Sequence, residues 1–460
     1  MKHALYLILL FGFFSSCAKV SDGFRDLKTG ETTCWNLDGY VERTADEIVL
    51  KGIDSRAVTT TSYTNFELEL ECKTSPGALG GIFFHTDGFD GLKKGYEVFI
   101  NNDERIGEWR KTGSLTAVRN FGKCVAYDDE WTPIKIAVSR KNIRVYINDL
   151  WIVDYTQPAQ PFRLPDYSQR LLSSGVFVLV NYSDADIAFR NIRVKPVLSA
   201  STNIADAIDE QDDDLIRLHQ QNFPLIDTHL HLKGGLTAED VDELTRKYGI
   251  TYGVAPNCGL NFPITNDRQI YDWLKEMKGH LFQLPMQAEG REWTTLFSDE
   301  AVRSFDYVFT DALTWSDDKG RRMRIWIPEE TFIVNKERFM DTLVDNACTI
   351  ITTEDFDLFV NPTFLPQELQ TEYNELWTKE RMERVIDACT SADVAIEINC
   401  RYRIPSQAFI ELAKEKGAKF SIGTNNEALE DIDQLAYAIE MIKACELTAA
   451  NMYIPISKNK

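Results

Sequence analysis

The feature that most constrains this chain is a change of hydrophobic period near residue 200. Before it, apolar and polar residues alternate, the two-residue repeat of half-buried strands. Phe66-Glu67-Leu68-Glu69-Leu70-Glu71-Cys72 does so strictly. Ile134–Val138 and Ile143–Ile147 repeat it around a polar turn at Ser139–Asn142, and Val176–Val180 and Ile187–Val194 add further strands. Many short strands with polar turns over residues 22–197 predict an all-β two-sheet sandwich of jelly-roll type. After it, helical patterns at Ala238–Lys247, Arg268–Met277, Glu337–Thr349, Lys379–Cys389, Gln407–Lys416 and Ile432–Lys443 alternate with short apolar runs. The seven runs are Pro224–Ile226, Ile250–Val254, Leu281–Met286, Tyr307–Phe309, Phe356–Val360, Val394–Ile398 and Lys419–Ile422. That interleaving predicts a parallel βα barrel over residues 223–455. The polar stretch 198–222, with its acidic run Asp209–Asp214, reads as a linker ending in a short helix through Leu215–Leu218.

The expectation is therefore a multidomain chain, an all-β jelly-roll sandwich followed by an α/β barrel, which suits 460 residues. A net charge of −21 opposes nucleic-acid binding and docking on anionic membranes. Residues 1–17 read as a targeting segment: Lys2 and His3 give a positive start, and Ala4–Phe14 an apolar stretch too short to span a bilayer. Ser15-Ser16-Cys17 resembles a bacterial lipoprotein cleavage site, which implies a lipidated Cys17. The body would then be exported and held in the cell envelope, in the periplasm or at the cell surface, touching membrane only through its lipid. None of the other eight cysteines forms a Cys-x-x-Cys pair, so a zinc ribbon or thioredoxin-type site is unsupported. They read mostly as buried small hydrophobes.

Reactive residues of a βα barrel lie where its strands end. The first run leads into Asp227-Thr228-His229-Leu230-His231, whose alternate histidines can address one point from an extended strand. Imidazole is the commonest metal ligand, and an adjacent Asp adds an oxygen donor or fixes a ring tautomer. The other run ends supply Asn257; Glu289 with Arg291; Asp311; Asn361; Glu397 with Asn399 and Arg401; and Asn425 with Asn426. The bland alternative for the histidines is a solvated turn pair, and for Arg291, Arg401 and Arg403 rim ion pairs. Trp293, Trp315, Trp326 and Trp377 could stack on sugar rings, although packing is the more common use of such residues.

The first half resembles the 3-keto-disaccharide hydrolase domain, a concanavalin-like jelly roll. The resemblance rests on Gly80-Gly81-Ile82-Phe83-Phe84, Gly95-Tyr96-Glu97-Val98-Phe99-Ile100, Thr112-Gly113-Ser114-Leu115, Glu130-Trp131-Thr132-Pro133-Ile134 and Phe189-Arg190-Asn191-Ile192-Arg193-Val194. It implies a sugar-facing side on which Glu97, His85 and Arg110 are candidate substrate-binding groups. Where the family often has Leu-Gln-x-His, this chain has Leu179-Val180-Asn181-Tyr182.

The second half resembles the PHP (polymerase and histidinol phosphatase) family, a distorted seven-stranded barrel with a divalent-metal cluster. Asp227-Thr228-His229-Leu230-His231, Ala288-Glu289-Gly290 and Glu397-Ile398-Asn399 carry the resemblance. Thr310-Asp311-Ala312-Leu313, Asn361-Pro362 and Gly423-Thr424-Asn425-Asn426 depart from it, because family histidines are missing there. An amidohydrolase would need more histidines on later strands, and only His280 follows His231. The resemblance implies one ion (zinc, manganese or iron) on His229, His231 and Glu289, with Asp227 nearby and Asp311 or an Asn completing the shell. Asp311, Glu397, Arg291 and Arg401 become candidate catalytic groups, and Asn361, Asn399, Asn425 and Asn426 candidate substrate contacts. The resulting expectation is an exported metal-dependent hydrolase acting on carbohydrate or a related polar metabolite. The alternatives are a glycan-binding scaffold with degenerate domains and a metal-dependent sugar lyase or isomerase.

Overall fold

In the computed structural model, which describes residues 23–88, 91–197, 213–317, 319–432 and 435–456, the alternation at Phe66 becomes the strand Phe66–Thr74. Phe66, Leu68, Leu70 and Cys72 turn inward. Glu67, Glu69 and Glu71 turn outward to meet Lys135 at 3.2 Å, Arg193 at 2.6 Å and Arg190 at 2.7 Å on flanking strands. Such partly exposed pairs add little stability, but they agree with the register that the buried face dictates. The leader with Cys17 and residues 198–212 of the expected linker lie outside the described residues.

Two antiparallel sheets make the sandwich. The larger places Phe66–Thr74 between Thr132–Ser139 and Ile187–Pro196. The smaller is five-stranded, in the order Trp35–Asp38, Arg56–Thr59, Val176–Asn181, Gly80–Thr86, Tyr96–Ile100. Their facing sides share a core that includes Phe66, Phe84, Tyr96, Phe177 and Phe189. The architecture is of jelly-roll type, as the alternation predicts.

The second half is a curled parallel sheet. Its strand order is Thr251–Val254, Ile226–Leu230, Phe420–Gly423, Ala395–Asn399, Leu358–Phe359, Val308–Thr310, Met286–Glu289, Asn257–Gly259. Eight strands therefore stand where seven runs were read. The second run, Ile250–Val254, forms one edge of the order, and an extra strand just past Ala255-Pro256, Asn257–Gly259, forms the other. Proline has no N–H for a ladder, so the strand bends there and links the two edges of the curled sheet. The third strand begins only at Met286, after Pro285, at the last residue of the run expected to start it at Leu281. The six helical patterns all become helices, from Ala238–Tyr248 to Ala436–Ala444. A hairpin of Thr314–Ser316 with Arg322–Arg324 was not foreseen. Among the described residues no helix is long and apolar enough to cross a membrane.

The end of the expected linker is a wedge rather than a spacer. Asp213 caps the helix Asp214–Gln220 by accepting from the N–H of Leu215 at 2.9 Å. Ile216 packs into the sandwich core, while Leu215 and Leu218 pack into the barrel core. Trp109, on a sandwich loop, joins the barrel core and donates its indole N–H to Asn222 Oδ1 at 2.8 Å. The Gly122 N–H donates to Thr251 Oγ1 at 2.8 Å, and Lys123 Nζ donates to the His280 carbonyl at 2.8 Å. Thr251 opens a barrel strand and His280 precedes one, so the sandwich seals the amino end of the barrel. The carboxyl ends face away from it.

His219 fastens this junction. Its Nδ1 accepts the Asn120 N–H at 3.3 Å and its Nε2–H donates to the Tyr248 carbonyl at 2.9 Å. Burial pushes its pKa down to about 3, with the Tyr248 contact opposing. Because the folded pKa is depressed, this group's stability term is present above about pH 6.5, the value for a free imidazole, and is lost as pH falls. The stability gap between wild type and His219→Gln should narrow by about 2 kcal/mol from pH 7 to pH 5. Urea unfolding at the two pH values reads it, and a pH-independent gap would show that the ring is not held neutral.

Candidate functional site

The strand Ile226–Leu230 delivers its histidines only because Asp227 locks the strand end. Asp227 Oδ1 accepts the N–H groups of His229 at 3.1 Å and Thr424 at 3.0 Å, and Oδ2 accepts the Thr424 hydroxyl at 2.5 Å. Burial nevertheless raises its pKa, with the Thr424 contacts opposing. Named from the sequence among the metal donors, Asp227 instead has both oxygens committed to fixing the backbone. Asn426 acts alike: it accepts from His231 N–H at 2.8 Å and donates to His231 O at 3.0 Å. It clamps the His231 backbone from both sides, a positioning role beside the substrate contact expected of it.

Glu397 sits at the centre of a fully buried network. Its Oε1 accepts from His229 Nδ1 at 2.6 Å. Its Oε2 accepts from Asn361 N–H at 2.7 Å and from Asn399 Nδ2 at 3.0 Å. Asn361 Oδ1 in turn accepts from Asn399 at 3.0 Å and Asn425 at 3.1 Å, and its amide donates to Asp311 Oδ2 at 3.4 Å. Asn361 and Asn425 both hold φ of 51°, a left-handed conformation that Asn tolerates well. Gly423 is required beside them: a Cβ there would stand 2.1 Å from Glu397 Oε1 and 2.8 Å from the His229 Cβ. Foreseen as a proton carrier, Glu397 has both oxygens taken and orients His229 instead.

That orientation decides the donor chemistry. Because Glu397 accepts at Nδ1, His229 carries its proton there, and its buried Nε2 is left without a partner. His231 likewise uses Nδ1 on the Ala255 carbonyl, at 2.9 Å. The two rings lie 5.1 Å apart between centroids. Burial drives the His231 pKa far down, and His229 adds to the shift. Across the mouth, the Glu289 pKa is raised first by burial and then by Asp311, while Asn257 Nδ2 opposes the shift by donating to its Oε1 at 2.6 Å. Asp311 is raised by burial, with the Leu313 N–H and Arg291 opposing. Two buried carboxyl groups that repel one another favour a shared proton or a cation.

Among the described residues no three His, Cys, Asp or Glu side chains are grouped to enclose a metal. Where the resemblance would call for further histidines, Asn361 and Asn425 bond to one another instead. The orphaned His229 Nε2 and the buried carboxyl groups of Glu289 and Asp311 nevertheless share this mouth, a mixture of nitrogen and oxygen donors.

Arg291 spans the rim. It donates to Glu354 at 2.9 Å, to Thr310 Oγ1 at 2.8 Å and to the Asp311 carbonyl at 3.0 Å, and its buried Nε lacks a partner. Arg401 lies 3.4 Å from Glu427, and Arg403 lies 2.6 Å from Glu440. Both make the rim pairs of the bland alternative. Trp293 and Trp377 are buried and donate to Glu354 and to the Thr363 carbonyl. Thr424 escaped notice as a support, although it is next to a residue already singled out, and Asn257, named as a strand-end residue, supports Glu289.

The sandwich places its three candidates differently. His85 is turned away from the open side: it donates from Nε2 to Thr64 O at 2.8 Å, and its Nδ1 accepts from the Ser173 N–H at 3.1 Å. Its φ of 59° marks a bulge opposite a register shift, so the ring holds the strand bend. Glu97 reaches over Gly81, where a Cβ would meet its Oε1 at 2.5 Å, and accepts from the Tyr182 hydroxyl at 2.6 Å. Arg110 is held by Glu108 through bonds of 3.0 and 2.8 Å.

The fold and site thus define a jelly-roll sandwich joined to a curled parallel βα sheet with a buried polar mouth. Residues 19–195 match the model of the 3-keto-alpha-glucoside-1,2-lyase-like domain. No curated protein matches the chain. A proposed glycosyl hydrolase from Parabacteroides distasonis is similar at 17% identity, covering 38% of this chain and 94% of its own, with a TM-score of 0.35. The carbohydrate-binding module CBM66 from Bacillus subtilis is similar at 17% identity over 36% of this chain and 96% of its own, with a TM-score of 0.26. Histidinol phosphate phosphatase from Lactococcus lactis, complexed with zinc, L-histidinol and phosphate, is similar at 14% identity, covering 50% of this chain and 95% of its own, with a TM-score of 0.36.

Removing the network's centre should be costly. Glu397→Ala orphans three buried donors, each worth roughly 1–3 kcal/mol, so chemical denaturation should register a loss of about 3 kcal/mol or more. A loss below about 1 kcal/mol would mean that water or a moved side chain replaces the carboxylate easily.

Proposed function

We propose that this chain is an exported, lipid-anchored hydrolase acting on carbohydrate, with a single divalent ion at the barrel mouth. The observation that carries the reading is the buried, unpartnered Nε2 of His229 beside two mutually repelling carboxyl groups. The match of residues 19–195 to a keto-glucoside-processing family supports carbohydrate as the substrate class. His229, His231 and Glu289 would hold the ion, with Asp311 at its edge. A bound divalent ion would supply an acidified water and a polarised substrate oxygen.

The protein's own groups have separable tasks. Glu397 keeps the His229 proton on Nδ1, so that Nε2 stays a donor. Asp311 has one oxygen held by the Leu313 N–H at 3.0 Å and the other only by the long Asn361 contact, which leaves it able to accept a proton from water. Arg291, with its free Nε at the rim, is suited to orient an oxyanion or carboxylate of the substrate. The sandwich, sealing the opposite end, would hold a glycoside separately.

A lyase is the second reading, favoured by the wording of the matched family, whose description names a 1,2-lyase. The purified full chain should retain close to one equivalent of zinc, manganese or iron, and a His229→Ala, His231→Ala double variant none. Equal, near-zero content in both would favour a glycan-binding scaffold. On a 3-keto-glycoside in ¹⁸O-water, label in the sugar product supports hydrolysis, whereas an unlabelled unsaturated sugar indicates elimination.

A further inference from the structure

The face of the five-stranded sheet that points away from the sandwich core has an apolar floor of Val58, Phe83, Val178 and Val180. Four polar side chains stand on it. Glu97 is opposite Phe83 in the strand register and accepts the Tyr182 hydroxyl at 2.6 Å. Arg110 lies over the Phe99 ring at 4.4 Å and is matched by Glu108. The fourth, Arg170, is not matched. Its guanidinium lies over the Phe83 ring at 4.9 Å, it is 8% exposed, and its buried Nε and Nη1 have no hydrogen-bond partner. Tyr182 lies within electrostatic reach of both arginines and of Glu97, so the four groups share one neighbourhood.

Arg170 is held there by the fold. Its N–H donates to the Tyr167 carbonyl at 2.8 Å, and its carbonyl accepts from Arg163 Nε at 2.9 Å. The same loop is pinned to the interdomain helix, because Gln220 accepts the Leu164 N–H at 2.5 Å and donates to the Phe162 carbonyl at 3.0 Å. A buried cation with unused donors is costly unless an anionic acceptor arrives from outside. A guanidinium backed by an aromatic ring and free at its edges suits a planar carboxylate. Glu97 and the phenol oxygen whose O–H it holds supply acceptors for sugar hydroxyls.

We propose that this face binds a carboxylate-bearing sugar of the hexuronate class, with Arg170 gripping the carboxylate and Glu97 and Tyr182 taking ring hydroxyls. The proposal rests on the reading of the sandwich as a glycoside-holding domain and names the kind of glycoside. It concerns a site on the sandwich, built from residues other than those of the barrel mouth.

Calorimetric titration of the full chain at low salt tests it, with methyl α-D-glucuronide, methyl α-D-glucoside and inorganic phosphate as probes. The glucuronide should bind at least tenfold more tightly than the glucoside, and phosphate should not compete. Arg170→Gln should abolish that preference while leaving glucoside binding within about twofold, and Arg170→Lys should keep part of it. Tyr182→Phe should weaken both sugars together, and it serves with the wild-type comparison if Arg170→Gln fails to fold. Equal binding of the two sugars, unchanged in Arg170→Gln, overturns the proposal but leaves a neutral-glycoside site standing. Phosphate binding as tightly as the glucuronide overturns it in favour of a general anion site. Binding of none of the three overturns both the proposal and the glycoside reading of the sandwich.

Discussion

The hydrogen bond from His229 Nδ1 to Glu397 is the contact on which the barrel mouth depends. It fixes the tautomer of the ring, and through the second carboxylate oxygen it also fixes Asn361 and Asn399. Five strand ends are thereby cross-braced within a region almost closed to water. The bracing has a chemical consequence. Amides that bond to one another need no ion, so the proposed ion centre is confined to the edge formed by the two imidazoles, Glu289 and Asp311.

The same logic of satisfied and unsatisfied groups separates the two ends of the molecule. At the amino end of the barrel, polar groups are paired across the junction: His219 with Asn120 and Tyr248, Lys123 with His280, and Gly122 with Thr251. At the carboxyl end and on the outer face of the small sheet, buried atoms of His229, Arg291 and Arg170 are unpaired. Unpaired buried polar atoms are rare because each forfeits its hydration without compensation. Those beside acidic or aromatic neighbours are the ones on which the two proposed binding sites rest.

Much of the architecture was legible because it depends on local periodicity. The Phe66–Cys72 alternation and the six helical patterns each state their own buried face, and neither needs a distant partner to be read. The misplacements have equally local causes. Pro256 separates the second barrel strand from the extra one and Pro285 delays the third, since neither can donate to a ladder. The site was legible only in part. Strand ends named His229, His231, Glu289, Asp311 and Glu397, but their roles depend on contacts up to 195 residues apart in sequence. Nothing in the pattern around Asp227 or Asn426 reveals that their polar atoms are spent on backbone, or that His85 faces inward. Arg170 gave no signal at all, because a lone arginine in a polar loop looks the same whether it is solvated or buried.

The tautomer and ligation of the two barrel histidines can be read directly. Long-range ¹H–¹⁵N correlation of the imidazoles in the full chain, before and after adding one equivalent of Zn²⁺, should show both protonated at Nδ1, with both Nε2 resonances shifting on addition. A His229 ring protonated at Nε2, or Nε2 resonances unmoved by the ion, would contradict a single-ion centre at the barrel mouth.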